Sequence, residues 1–291
     1  MAKSLDVHPK MHADQAFQAV ARQCVERFRR HLPELRQNWD AEALHQARVG
    51  LRQLSAVFSL FRPMIADAAF PALRDRVKAA ARILGEARDL DIVLAASRRP
   101  DLPALRGVVS SMRSRAYAGA TQRLEDAGNR HLAEDLLDWI DHGAWLSRHK
   151  DARHRCIRAF AARRLDRMWR KFGMRAGHLE TLAPRPRHKV RIAAKKLRYG
   201  FEFMAPLAKS AKARGRRNAL IGMLREMQDA LGTLNDVRME RQLAADLVQE
   251  GRAVAFAAGQ LIGAQEVRTA PLLRRAAKAG RRLRGKKPFW R

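Results

Sequence analysis

His45-Gln46-Ala47-Arg48-Val49-Gly50-Leu51-Arg52-Gln53-Leu54 returns 143 positions later as His188-Lys189-Val190-Arg191-Ile192-Ala193-Ala194-Lys195-Lys196-Leu197. Both copies carry apolar residues at intervals of three and four, the period of an amphipathic helix. On a helix of ~3.6 residues per turn, His45, Arg48 and Arg52 fall within about 60° of one another. Leu44, Leu51, Leu54, Phe58 and Phe61 take the adjoining and opposite sides, where packing against other helices is predicted. In the second copy His188, Arg191, Lys195, Arg198 and Tyr199 form the stripe, and Ala194, Leu197, Phe201 and Met204 form the core side.

The match extends in both directions. Leu84-Gly85-Glu86-Ala87-Arg88-Asp89 aligns with Leu231-Gly232-Thr233-Leu234-Asn235-Asp236. The distance from His to Gly is 40 positions in the first copy and 44 in the second, a difference that one loop absorbs. Upstream, Phe17, Val20, Ala21 and Phe28 pair in order with Ile157, Phe160, Ala161 and Met168. The expected architecture is all-α: two helical bundles of one design, residues 11–143 and 152–291, packed as a single unit over residues 1–291.

Helical periodicity continues almost throughout, and no stretch reads as a strand. Helices are predicted at about 12–36, 40–62, 70–97, 102–126 and 130–142, then, after a charged break at His149 to Asp151, at about 152–173, 186–206, 213–232, 235–250, 253–267 and 270–284. Pro63, Pro100, Pro103, Pro184, Pro186, Pro206 and Pro271 are placed at joints, where a missing N–H does least harm.

Charge narrows the function. The 291 residues hold 59 Lys and Arg against 29 Asp and Glu, a formal net charge of +30, which predicts a partner that supplies negative charge. Two cysteines, Cys24 and Cys156, make no disulfide framework and no metal-ligand spacing, and each reads as a buried thiol on an amphipathic helix. The start, Met1 to Asp6, has no apolar signal-peptide core, and no span is uncharged for long enough to cross a membrane. A reducing cytoplasm is the expected setting.

The helix after each stripe adds a second cationic row. Arg74, Lys78, Arg82 and Gly85 project from the face opposite Leu73, Val77, Ala80 and Leu84; Arg214, Arg217, Arg225 and Gly232 accompany Leu220, Leu224, Met227 and Leu231. Like charges at i,i+4 cost an isolated helix roughly 0.2–0.5 kcal/mol per pair, so their repetition in both halves points to a ligand. Guanidinium forks hold phosphate oxygens bidentately and ammonium groups act as point charges, so a row of cations suits a row of phosphates. Asp89, Asp91 and Asp236 read as carboxylates that hold neighbouring arginines in place. Gly85 and Gly232 read as sites of close helix approach or a kink.

These motifs resemble those of the CHAD domain, the conserved histidine α-helical domain. The segments that carry the resemblance are HQARVGLRQL from His45, LGEARDLD from Leu84, HKVRIAAKKLRYGFE from His188, QDALGTLND from Gln228 to Asp236, and the ending Lys287-Pro288-Phe289-Trp290. The resemblance implies two four-helix bundles related by pseudo-twofold symmetry around a basic central groove or pore that binds inorganic polyphosphate, in some members at polyphosphate granules. Carried over by position, it implies a binding set of His45, Arg48, Arg52, Lys78, His188, Arg191, Lys195, Arg198 and Arg225. Arg74, Arg82, Tyr199, Arg214 and Arg217 join it as members of the same stripes and rows. Ile221 stands where the first half has Arg74, so the two grooves are expected to differ in charge. The Glu-x-Glu-x-Lys motif of a fused triphosphatase is absent, and no cofactor is expected.

Two rivals come from other classes. Glu42 and His45 make the Glu-x-x-His spacing of di-metal carboxylate bundles, which need that motif on two helices; Arg185 replaces Glu42 in the second copy, so no metal is expected, although a metal-dependent phosphohydrolase built on His45 and His188 is the enzymatic alternative. Non-specific nucleic-acid binding is the other, through Arg281-Arg282-Leu283-Arg284-Gly285-Lys286-Lys287. Stacking of bases calls for exposed aromatics among the cations, and Tyr199 is nearly the only candidate in the stripes.

Overall fold

The computed structural model describes residues 7–98, 102–126, 128–247, 250–267 and 269–291, and the structural statements below concern these; Pro100 and the start of the chain, residues 1–6, lie outside them. The helices run α1 (Ala13–Arg30), α2 (Leu32–Asn38), α3 (Ala41–Ile65), α4 (Phe70–Ala96), α5 (Pro103–Glu125), α6 (Leu132–His142), the one-turn α7 (Lys150–Arg153), α8 (Ile157–Ala176), α9 (Pro184–Phe203), α10 (Ala211–Leu247), α11 (Arg252–Glu266) and α12 (Thr269–Arg284). Extended pairing among the described residues is limited to an isolated bridge between His12 and Cys156.

Helices α1, α3, α4 and α6 close a ring of contacts, each packing on the next, and α8, α9, α10 and α12 close a second. Helix α5 lies outside the first ring on α4, and α11 outside the second on α10. The rings meet like to like: α3 on α9, α4 on α10, α5 on α11 and α1 on α8. The starts of α1 and α8 are also tied by backbone hydrogen bonds, Ala13 N to Arg155 O at 3.0 Å and Ile157 N to Met11 O at 2.9 Å. One apolar core runs through both bundles, and a second, smaller one joins Val93, Leu105 and Val109 of the first half to Leu247, Val254 and Leu261 of the second.

Aromatic side chains anchor each bundle. In the first, Phe17 meets Phe61, Trp139 and Trp145 at ring separations of 5.5, 5.9 and 5.1 Å. The buried Asp67 carboxylate accepts from Trp139 Nε1, from the backbone N–H of Trp145 and from that of Phe70, which removes the cost of burying those donors. In the second, Trp290 packs 4.9 Å from Phe201 and its Nε1 donates to Asp166. The terminal Phe289-Trp290 pair is thus part of the core. Phe61 and Phe160 stack across the boundary between the halves, 5.3 Å apart.

Several sequence expectations change. The segment predicted as 12–36 is two helices, broken at His31 ahead of Pro33. The helices predicted at 213–232 and 235–250 are continuous through residue 247 in one 37-residue helix, α10, for Gly232 interrupts nothing; residues 248 and 249 lie outside the described residues. Pro63 lies inside α3 instead of at a joint. A proline there cannot donate to the carbonyl four residues back, and Arg164 of α8 supplies the donors, Nη2 to Ser59 O at 2.8 Å and Nε to Leu60 O at 2.7 Å. Cys24 is buried, but Cys156 is exposed, at the N-cap of α8. The helix starts pair Ala13 with Ile157, one turn from the predicted pairing of Phe17 with Ile157.

Candidate functional site

The first stripe lies on α3 and the second on α9, and these two helices pack directly on each other across the boundary between the halves. Arg48 and Arg52 of the first stripe and His188, Arg191, Lys195 and Tyr199 of the second face a common cleft, whereas His45 and Arg198, expected with them, do not line it. It has a volume of about 220 Å³ and is lined by Arg48, Arg52, Ser55 and Ala81 from the first half and by His188, Arg191, Ile192, Lys195, Lys196 and Tyr199 from the second. No carboxylate lines it.

Burial and mutual repulsion strain these cations. The Lys195 ammonium is pushed down to about 7 by burial and then by Arg191, Arg52, Arg48 and Arg198. Burial also lowers Lys196, with Lys78, Lys171 and Arg175 adding to the effect. Nη1 of Arg48 and Nε of Arg191 are buried without a hydrogen-bond partner, a state that an anion would relieve. His45 and His188 are both held below the ordinary histidine value, each by burial first, then by Arg88 and Arg52 at His45 and by Arg191 at His188. Both rings are biased toward the neutral form.

Two carboxylates stand behind the arginines. Asp89 sustains the charge of Arg48, and Asp236 that of Arg191. Burial raises both acids, and Asp236 raises Asp89 further by repulsion. Their influence on the arginines is through charge. Asp91 is buried apart from this set and accepts from Arg113 Nε at 2.8 Å and from the Tyr117 hydroxyl at 2.9 Å. Gly85 has a sharper role than a kink: a Cβ there would lie 2.7 Å from Arg48 Nη1, so its bare surface seats that guanidinium against α4. Gly232 meets nothing comparable.

The remaining predicted residues divide. Lys78 reaches the flank of the cleft, where its charge acts on Lys196. Arg74 and Lys78 share Asp75 as an ion-pair partner, and Arg82 is exposed one turn further along. Arg198 does not line the cleft but lies over the Tyr199 ring at 4.4 Å, donating to Gln228 at 2.9 Å and pairing with Glu202 at 2.6 Å, and Arg225 pairs with the same Glu202. Arg214 donates to Lys209 O and Arg217 to Ala205 O near the start of α10. Tyr199 is buried under the cleft and its hydroxyl accepts from Arg52 Nε at 2.9 Å, so it offers no face for base stacking. Sequence reasoning missed Lys196 and Arg88. Lys196 follows the stripe residue Lys195 and is assigned to neither side, and Arg88, whose charge reaches His45, Arg48, Asp89 and Asp236, extends the Arg74 to Gly85 row by one turn.

Among the described residues, no three His, Cys, Asp or Glu side chains come together as a metal site, and Glu42 accepts a hydrogen bond from Gln46. Among the described residues, no helix is long and apolar enough to cross a membrane.

A single chain in which two helical bundles join across a basic cleft is the class this geometry defines. The chain belongs to the CHAD domain family, whose model matches residues 19–245. The crystal structure of the CHAD domain from the plant Ricinus communis superposes with a TM-score of 0.84 at 27% identity, over 98% of this chain and 97% of that one. PptA from Streptomyces chartreusis shares the fold with a TM-score of 0.63 at 16% identity, over 93% of this chain and 99% of that one. No curated protein matches the chain.

Proposed function

We propose that the chain binds inorganic polyphosphate along the cleft between α3 and α9, without cleaving it, and that this binding places it at polyphosphate granules. The observation that supports the reading is the lining of that cleft: Arg48, Arg52, Arg191, Lys195 and Lys196 with no carboxylate among them. Membership of the CHAD family agrees with it. A phosphoanhydride chain brings closely spaced charge and no apolar body, which fits guanidinium forks held in register on two packed helices. Nucleic acid fits less well, because the one aromatic within the stripes, Tyr199, is buried. Phosphate or sulfate would be small surrogates for the ligand.

Titration calorimetry with long-chain polyphosphate, beside single-stranded and duplex DNA at physiological salt, tests the reading. Tighter binding of polyphosphate per phosphate is the expected result, with no phosphate released over the course of the titration. Equal affinity for DNA would remove the preference, and steady release of phosphate would replace binding with hydrolysis.

A further inference from the structure

The two halves treat one place differently. In the first, the space between the start of α3 and the later part of α4 is filled from α5: Tyr117, fully buried, and Arg113 both bond to Asp91 of α4, and Arg113 Nη2 donates to Trp39 O at 3.1 Å. The Trp39 ring closes over Tyr117 at 6.4 Å. In the second half the matching space, between the start of α9 and the later part of α10, is an open pocket of about 170 Å³. It adjoins a wider hollow of about 430 Å³ with which it shares His188, Asn235 and Arg238.

The repeat accounts for the difference residue by residue. With Gly85 set on Gly232, Arg238 falls where Asp91 stands in the first half; with His45 set on His188, Arg187 falls where Leu44 stands. The acid that anchors the plug is replaced by a cation, and a buried leucine by another. The result is a pocket with cationic walls, an apolar floor of Leu231, Leu234 and Val237, and, among the described residues, no carboxylate in its lining. The Nε atoms of Arg187 and Arg191, which both line it, are buried without a partner. Unpartnered guanidinium nitrogens beside leucines ask for a ligand that is anionic at one end and apolar at the other.

We propose that this pocket binds a small organic phosphate of the chemistry of a nucleoside diphosphate, with its phosphates among Arg187, Arg191 and Arg238 and its ring against Leu231, Leu234 and Val237. A bare phosphate chain has nothing to set against those leucines. The site has walls of its own in Arg187 and Arg238 but adjoins the polyphosphate cleft, and because Arg191 and His188 border both, a ligand in one competes for Arg191 with a ligand in the other.

Titration of the full chain with ADP, and separately with inorganic pyrophosphate as the probe that has the phosphates but no ring, tests the assignment. ADP should bind once per chain, at least about tenfold tighter than pyrophosphate, since burying a ring readily supplies the ~1.4 kcal/mol that a tenfold difference requires. The double variant R187L/R238L should weaken ADP by at least about tenfold, while polyphosphate affinity moves less than about threefold at physiological salt. Equal affinity for ADP and pyrophosphate, or ADP affinity untouched by R187L/R238L, overturns the proposal. L234W, which fills the pocket as Tyr117 fills its counterpart, guards against misfolding of the double variant: with native helicity it should lose ADP, and retention of ADP overturns the proposal equally.

Discussion

Gly85 of α4 and Arg48 of α3 are fitted to each other: the glycine leaves free the volume that the Arg48 guanidinium occupies, and a methyl group there would come within 2.7 Å of Nη1. A helix-interior glycine is normally a loss of roughly 0.5–1 kcal/mol against alanine. Here the position makes room for Arg48. G85A should leave thermal stability unchanged or slightly raised, because the displaced group is the far end of a flexible side chain, while polyphosphate affinity falls several-fold as Arg48 is pushed off its seat. Paired melting and calorimetry on the one variant check both halves of that expectation.

Charge reversal at the heart of the cleft should likewise remove binding while sparing the fold. R48E and R191E each remove a buried cation and place a carboxylate against Asp89 or Asp236, so polyphosphate affinity should drop by more than about a hundredfold, two charge-assisted contacts being lost or inverted. Helicity by circular dichroism should persist. Unchanged affinity would move the site elsewhere.

Binding should take up a proton above neutral pH. Free Lys195 titrates at about 7 against an ordinary 10.5, so above pH 7 it is largely neutral, and a phosphate chain that restores its charge must draw a proton from solution. Affinity is then highest below about pH 7 and falls, by up to tenfold per pH unit from this group, as the pH rises through that window. The stability of the free protein has the reverse trend from the same lysine. Below pH 7 folded and unfolded chains are both protonated and the burial penalty is complete; between about 7 and 10.5 the unfolded chain holds the extra proton, so the penalty is relieved as the pH rises. Calorimetry at pH 8.5 in two buffers of different ionisation enthalpy measures the uptake, and K195M should abolish it.

Arg164 should matter to stability through Pro63. Its guanidinium serves Ser59 O and Leu60 O, and Ser59 O has lost its helical donor to the proline. R164A should cost about 1–3 kcal/mol in urea unfolding, the penalty for buried carbonyls left without a donor. In a P63A background, where the backbone regains an N–H that can reach Ser59 O, the same change should cost less; additivity of the two variants would show that the arginine acts by packing alone.

Much of this was written in the helical period. The stripes of α3 and α9 and the all-helical architecture follow from which positions are apolar and which are charged, and Asp89 and Asp236 act by charge on the arginines expected beside them. Register was harder, because an amphipathic helix shifted by one turn looks nearly the same: Phe17 aligned with Ile157 as readily as Ala13 did. Gly232 suggested a break that α10 does not have, since intrinsic propensity yields to packing along both sides of a long helix. Direction was hardest. Arg198, Arg214, Arg217 and Arg225 lie on the correct helices, but their ends are drawn to Glu202, Gln228 and backbone carbonyls, and only three-dimensional neighbours reveal that. Lys196 reached the cleft through its long stem in the same way.

The pairing of equivalent helices within one chain has a further effect. In a dimer of identical subunits every substitution appears twice, so any hollow closed on one side closes on the other. Joining the two copies covalently lifts that constraint, and Tyr117 can seal one side while Arg238 keeps its mirror position open. The molecule retains the shared central surface that doubling provides and gains a left and a right that can specialise separately.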